Sequence, residues 1–194
     1  MSPFEANEFG TPLEAGERAD LLPTHVTVRS ELNELEADNI IDAEQWAFRR
    51  RRVILSERFL LQLHQRMFGR VWAWAGAYRK TQRNLGVDWR NIQTGVHDLL
   101  ADAEYWIEHS TYSRDECVIR FHHRLVVIHP FVNGNGRHSR LMADLIAHQL
   151  GEPRFSWGGR ENRGATGELR ETYIRALQSA DRQDYAPLLA FARS

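Results

Sequence analysis

Residues 129–140 form the part of this sequence whose residue types and spacing could do chemistry. Two asparagines and two glycines lie between an apolar run that ends at Ile128 and a helix that we expect to begin near Gly136. A loop of this kind binds anions, because small residues let the backbone approach a phosphate and the first N–H groups of the helix face it. The segment therefore predicts a phosphate-binding loop.

Three side chains of this loop and helix suggest further roles. Arg137 and Arg140 are three residues apart, so on a helix they share a face and could bind a polyphosphate through bidentate hydrogen bonds. His129 stands at the entrance of the loop, and histidine is the side chain whose unperturbed pKa lies nearest to neutral pH. We therefore expect His129 to act as a general base.

The elements that must position this loop are predicted to be helices. Ser113 and Glu116 form a capping box, which starts a helix that runs into His129, and a second helix leaves the loop and ends at Gly151. A helix begins after Ser56, and apolar residues at helical spacing predict others over 92–109 and about 27–50, the last with a break near 38–39. The fold class is all-α, with about eight helices.

Composition limits the classes of protein that fit. The chain has 194 residues, of which 42% are hydrophobic, and this is enough for a core in one domain, 27–194, preceded by an N-terminal arm, 1–26. The formal charge of −1 gives no general attraction to nucleic acid or to a membrane surface. A single cysteine, no apolar leader and no long apolar run predict a cytoplasmic protein.

The loop resembles the signature of the Fic family, His-Pro-Phe-x-Asp/Glu-Gly-Asn-Gly-Arg-x-x-Arg. All of its fixed letters except the acidic one stand at residues 129–140. The resemblance implies an all-helical protein adenylyltransferase, which transfers AMP from ATP to a Ser, Thr or Tyr hydroxyl of a target protein, or of the enzyme itself. His129 would then take the proton of the target hydroxyl.

The same resemblance implies the roles of the remaining loop residues. Gly134, Asn135 and Gly136 would hold the α- and β-phosphates of ATP. Arg137 would bind the outer phosphates, and Arg140 would reach the γ-phosphate.

One position departs from the family signature. Asn133 stands where the family carries the acidic ligand of Mg²⁺, and its amide oxygen can coordinate the ion but brings no charge. The asparagine, together with Arg-His-Ser-Arg, is similar to a Fic subfamily called mobile mystery protein B. That likeness implies a mobile-element or toxin–antitoxin setting with a separate helix-turn-helix regulator.

Many Fic proteins also carry an inhibitory helix, in which a glutamate pairs with the second arginine of the signature. The segment 27–37 is similar to it, and Glu31 is the predicted inhibitory residue, with Glu34 as the alternative. The pairing of Glu31 with Arg140 would block the site of the γ-phosphate. The alternative is that both acids are solvated on an amphipathic helix.

Residues 79–89 are polar around a central glycine, which predicts a short β-hairpin. In Fic proteins a hairpin at this place clamps the target by backbone pairing, a mode that tolerates many sequences. The residues expected to line this target flap are Arg79, Lys80, Thr81, Leu85 and Val87. An ordinary surface loop is the alternative, and binding of nucleic acid by the basic residues is disfavoured.

Two other functions remain open at this point. The histidines at 122, 123, 129 and 138 could suggest zinc, but their spacing follows no recognised ligand pattern. Asn133 could also mark a catalytically impaired module that binds nucleotide or a partner without turnover.

Overall fold

The computed structural model describes residues 19–23, 26, 29–159 and 167–194. In these ranges the chain forms seven α-helices, a 3-10 turn at Trp89–Asn91 and no strand. The helices are α1 Arg29–Phe48, α2 Glu57–Phe68, α3 Ile92–Glu108, α4 Arg114–Ile128, α5 Asn135–Gln149, α6 Gly167–Asp181 and α7 Ala186–Arg193. The all-α prediction is confirmed, with seven described helices where about eight were expected.

Local capping signals fix where two of the helices begin. The Ser56 hydroxyl accepts the Phe59 N–H at 3.3 Å and starts α2. The Ser113 hydroxyl accepts the Glu116 N–H at 3.3 Å and starts α4. Each hydroxyl satisfies a backbone donor that the helix itself cannot pair, so the sequence signals and the structure agree.

The predicted break in the first helix does not occur. Helix α1 runs without interruption for 20 residues, and Asn39, at the expected break, is 2% exposed. The buried side of α1 carries Leu32, Glu36, Asn39, Ala43 and Ala47. Two of these five residues are polar. They interrupt the helical spacing of apolar residues in the sequence, although the helix itself continues.

Helices α4 and α5 pack against each other and hold the loop 129–134 between them. Val118, Phe121 and Leu125 of α4 and Met142 and Leu145 of α5 are at most 2% exposed. Helix α3 packs against α4, α1 against α2, and α6 against α7. The loop is therefore anchored at both ends in the protein core.

The predicted β-hairpin is wrong: residues 79–88 form an irregular loop without strand pairing. The backbone carbonyls of Thr81 and Val87 accept hydrogen bonds from the Arg79 side chain, at 2.9 and 2.6 Å. A side chain thus lies between the two arms of the loop and takes the place of cross-strand bonds. We keep the name flap for residues 79–88.

The N-terminal part of the chain is described only in part. Residues 1–18 and 24–25 of the predicted arm, and 27–28 of the predicted inhibitory helix, lie outside the described residues. Leu22 N–H donates to the Val71 carbonyl at 2.8 Å, and Ala73 N–H donates to the Asp20 carbonyl at 2.9 Å, so the segment 20–22 lies against the body of the protein. None of the helices in the described ranges has both the length and the apolar character needed to cross a membrane.

Candidate functional site

Two left-handed residues turn the chain between α4 and α5. His129 ends α4 with φ 52° and ψ 61°, and Gly134 precedes α5 with φ 77°. A β-carbon on Gly134 would come within 2.5 Å of the Phe68 ring, so glycine is required by both conformation and space. The loop therefore has little freedom, and it presents the N-terminus of α5 in a fixed direction.

His129 is 8% exposed, and its environment keeps the imidazole neutral. The pKa of His129 is lowered to about 4, first by burial and then by the positive charges of Arg79 and Arg83, while a hydrogen bond with the Val126 backbone acts in the opposite direction. A neutral imidazole can accept a proton at pH 7. The electrostatics of the site are thus those that the predicted general base needs.

The N-terminal turn of α5 has room for an anion. A β-carbon added to Gly136 would meet no atom within 4 Å. Gly134, as the N-cap residue, offers no side chain to the N–H groups of the first turn. Unpaired N–H groups together with the positive end of the helix dipole favour a phosphate at this place.

The Asn135 side chain points away from that space. It is 3% exposed, and its amide accepts the Phe131 N–H and donates to the Phe131 carbonyl, both at 2.9 Å. These two hydrogen bonds close the loop from inside. A contribution of Asn135 to phosphate binding, as predicted, would therefore come from its backbone and not from its amide.

The two arginines of the signature extend toward different helices. Arg137 donates from Nη1 to Oε2 of Glu36 on α1 at 2.5 Å. The Cζ of Arg140 lies 5.5 Å from the centre of the Tyr173 ring on α6. The guanidiniums thus stand on two sides of the α5 N-terminus, which suits the binding of an extended polyphosphate.

Asn133 offers weak metal-binding chemistry. Its Oδ1 accepts the Gly134 N–H at 2.7 Å, and its backbone carbonyl accepts from Nε2 of His64 at 3.1 Å. Nδ1 of His64 accepts the Gly76 N–H at 2.9 Å, so the proton of this buried ring lies on Nε2. One neutral amide oxygen suits a Mg²⁺ that arrives bound to phosphates, because that ion prefers phosphate and water oxygens.

The zinc alternative has no support in the described part of the chain, where no three His, Cys, Asp or Glu side chains come together as a metal site. The other histidines of α4 and α5 have structural partners. His123 pairs with Asp181 at 2.8 Å, and His138 bonds the Leu60 carbonyl at 3.0 Å.

The flap lies against the loop 129–134 through Arg79. This residue is 1% exposed, so its predicted place on a target-binding surface is wrong. The other four predicted flap residues, Lys80, Thr81, Leu85 and Val87, are exposed or half-buried. Their part in binding a target stays a prediction.

A glutamate that the sequence analysis missed lies beside Arg137, at the N-terminus of α5. Glu36 is 7% exposed, and it accepts from Nε1 of Trp72 at 2.7 Å as well as from Arg137. The predicted inhibitory residues Glu31 and Glu34 are both exposed on the same helix, and the pairing of Glu31 with Arg140 stays a prediction. Helical spacing could have placed Glu36 on the buried side of α1, four residues after Leu32, but it does not indicate Arg137 as the partner.

Comparison with known proteins agrees with this geometry. Residues 54–147 match the Fic/DOC family. Protein adenylyltransferase fic-1 of Caenorhabditis briggsae is 31% identical over 136 residues, which cover 68% of this chain and 25% of that protein. Protein adenylyltransferase Fic of Drosophila melanogaster is 32% identical over 139 residues, covering 68% and 26%. The chain therefore spans about a quarter of the length of these curated relatives.

Solved structures show the same fold. The Bartonella tribocorum effector protein BepC with bound AMPPNP has a TM-score of 0.67 at 16% identity, and the match covers 93% of this chain and 97% of that chain. The matched family region begins before α2 and ends within α5, and it includes the flap, His129 and both arginines of the loop. Residues 54–147 are a domain of the Fic/DOC family.

Proposed function

We propose that this protein is an adenylyltransferase that moves AMP from ATP to a hydroxyl side chain of a target protein. The observation that carries the proposal is a buried, neutral imidazole, His129, one loop away from an open helix N-terminus and two arginines. The names of the relatives support transfer of an adenylyl group. The AMPPNP bound to BepC supports ATP as the donor, because AMPPNP is an analogue of ATP.

In the proposed reaction each of these groups has one role. His129 accepts the proton of a Ser, Thr or Tyr hydroxyl, and the hydroxyl oxygen attacks the α-phosphorus of ATP. The bond between the α-phosphorus and the bridging oxygen breaks, and pyrophosphate leaves. Backbone N–H groups at the α5 N-terminus and the two guanidiniums stabilise the charge on the phosphates, as positioning and electrostatics dominate phosphoryl-type transfer. Mg²⁺, when bound with ATP, supplies further neutralisation of the phosphates.

We also propose that an N-terminal glutamate restrains this activity. Glu31 is the residue suggested by the family pattern, and Glu36 is the one whose contact supports the idea, since it already uses the guanidinium of Arg137. A carboxylate at this place competes with the phosphates for the same donor.

Recognition of the target is proposed to use the exposed edge of the flap. Residues 80–82 and 84–86 are exposed, and an extended segment of a target could pair with backbone groups there. The mobile mystery protein B subfamily, with a helix-turn-helix regulator in a toxin–antitoxin setting, is proposed only from Asn133 and the Arg-His-Ser-Arg segment.

The test is the intact mass of the purified protein after incubation with ATP and Mg²⁺, alone and with a cell extract. We expect wild type and Glu36→Gln to add an adenylyl group to themselves or to an extract protein. His129→Ala should add none, whereas His97→Ala, which removes an exposed histidine, should behave as wild type. Transfer by His129→Ala at the wild-type rate would overturn the proposal.

The second candidate function is a nucleotide-binding module without turnover. It is favoured by Asn133, which brings no charge and whose amide oxygen already accepts the Gly134 N–H. Calorimetry with ATP and Mg²⁺ beside the transfer assay separates the two functions. A module binds ATP and never transfers, and Asn133→Asp does not restore transfer to it.

A further inference from the structure

The Arg79 side chain links the flap to the residue proposed as the base. Its Nε donates to the His129 carbonyl at 2.7 Å, and its Nη2 donates to the Val87 carbonyl at 2.6 Å and reaches the Ile128 carbonyl at 3.5 Å. Its Nη1 donates to the Thr81 carbonyl at 2.9 Å. One guanidinium therefore holds carbonyls from both arms of the flap and from the end of α4.

The backbone follows the same path. Arg79 N–H donates to the Pro130 carbonyl at 2.9 Å, and Val87 N–H donates to the Ile128 carbonyl at 3.4 Å. A β-carbon on Gly86 would lie 2.6 Å from the His129 β-carbon, so the flap backbone passes directly over the histidine. Carbonyls at a helix C-terminus carry partial negative charge, which favours a cation such as this guanidinium.

His129 needs this support because of its backbone. A non-glycine residue rarely adopts a positive φ, and His129 has φ 52° where α4 ends. Its N–H donates to the Leu125 carbonyl at 3.1 Å, and its carbonyl accepts a hydrogen bond from Nε of Arg79. Both backbone groups of His129 are thus paired, and the two bonds hold the left-handed backbone from which the imidazole projects.

We propose that Arg79 is a positioning residue for His129, which fixes the left-handed backbone of the histidine and couples its orientation to the flap. Burial lowers the pKa of Arg79 and Asp88 partly opposes this effect, and the guanidinium stays charged because arginine is not deprotonated in proteins. The charged groups that act on the His129 ring are Arg79 and Arg83 of the flap, and both lower the pKa of His129.

The test separates the geometry of Arg79 from its charge. Arg79→Lys keeps the charge but not the planar fork, and Arg79→Gln removes both. Arg114→Gln, which changes an arginine that is 64% exposed at the opposite end of α4 from His129, is the matched control. Two quantities are measured: the pKa of His129, by NMR titration with His129→Ala to assign the signal, and kcat and KM for ATP in adenylyl transfer.

We expect kcat to fall about 10- to 100-fold in both Arg79 variants, with KM for ATP within about twofold, because the base is misplaced and the phosphate loop is not. The pKa of His129 should rise by about half a unit or more in Arg79→Gln and stay within about half a unit in Arg79→Lys. Arg114→Gln should change neither quantity. A wild-type kcat in Arg79→Lys, or an unchanged pKa of His129 in Arg79→Gln, would overturn the proposal.

A second variant covers the case in which the Arg79 variants do not fold. Gly86→Ala puts a β-carbon within 2.6 Å of both the Arg79 Nη2 and the His129 β-carbon, and should lower kcat by displacing the flap. Gly151→Ala is its control, since that glycine also has a positive φ, 80°, but lies in open space. Equal kcat values in the two glycine variants would contradict the coupling. The measurement of kcat rests on the proposed function, whereas the titration of His129 does not. If wild type is inactive but Arg79→Gln raises the pKa of His129, only the proposed function is disproved.

Discussion

Glu36 and Arg137 face each other at the N-terminus of α5, with Oε2 and Nη1 2.5 Å apart, although 101 residues separate them in the sequence. The glutamate side chain is 9% exposed and the arginine side chain 30% exposed, so water screens the pair only in part. The second carboxylate oxygen of Glu36 accepts from Trp72 at 2.7 Å, which fixes the direction of the acid. Helix α1 therefore controls one of the two guanidiniums proposed to bind ATP.

We expect Glu36→Gln to bind ATP more tightly than wild type. Glutamine keeps an acceptor for Trp72 but removes the charge that holds Arg137, so the phosphates no longer compete with a carboxylate. The gain should be about tenfold in Kd, which corresponds to about 1.4 kcal/mol, measured by calorimetry with ATP and Mg²⁺. Asp38→Asn, which removes the charge of another exposed acid on the same helix, is the control and should bind as wild type does. Equal affinity for ATP in all three proteins would show that Glu36 does not restrain ATP binding.

The parts of this structure that the sequence revealed are those determined over short distances. Ser56 and Ser113 cap helices through residues three positions away, and the loop 129–134 with its following helix is a continuous motif. Glu36 and Arg79 were missed or misplaced because their partners lie 101 and 50 residues away. Only the packing of α1 and of the flap against the α4–α5 pair makes these contacts, and residue spacing does not encode it.

The two glycines of the phosphate loop should respond differently to alanine. Gly136→Ala adds a methyl group to open space, so the protein should keep its stability while ATP affinity falls about tenfold, because the methyl occupies space needed by a phosphate. Gly134→Ala forces a side chain onto a residue at φ 77° and into the Phe68 ring, which should lower the free energy of unfolding by about 1–3 kcal/mol. Urea unfolding and calorimetry measure the two effects, and a stability loss in Gly136→Ala as large as that in Gly134→Ala would contradict this assignment.

Acid should destabilise the protein through its buried histidines. Burial lowers the pKa of His138 to about 3, while in the unfolded chain the pKa is about 6.5, so between these values the unfolded state binds more protons. The stabilising effect of the neutral ring is fully present above pH 6.5 and is lost as the pH falls toward 3. Between pH 7 and pH 5 the ring should account for a loss of about 2 kcal/mol in the free energy of unfolding.

The comparison of His138→Gln with His97→Gln tests this linkage. Urea unfolding at pH 7 and pH 5 gives the loss for each protein, and taking the difference cancels the effect of the substitution itself. The loss should be about 2 kcal/mol smaller than in wild type for His138→Gln, and unchanged for His97→Gln, whose side chain is 78% exposed. An identical loss in both variants would mean that the pKa of His138 is the same in the folded and the unfolded state.

Asn133→Asp should lower the Mg²⁺ concentration that half-saturates adenylyl transfer by about tenfold. The reason is that residue 133 then offers the ion a charged carboxylate instead of a neutral amide oxygen. The new carboxylate could still accept the Gly134 N–H now bound by Asn133 at 2.7 Å, so the loop should keep its shape. The Mg²⁺ dependence of the initial rate at fixed ATP is the measurement. Asn84→Asp, which adds the same charge to an exposed position of the flap, controls for a general electrostatic effect. If both substitutions shift the Mg²⁺ dependence equally, residue 133 does not contact the ion, and the phosphates of ATP alone determine how it binds.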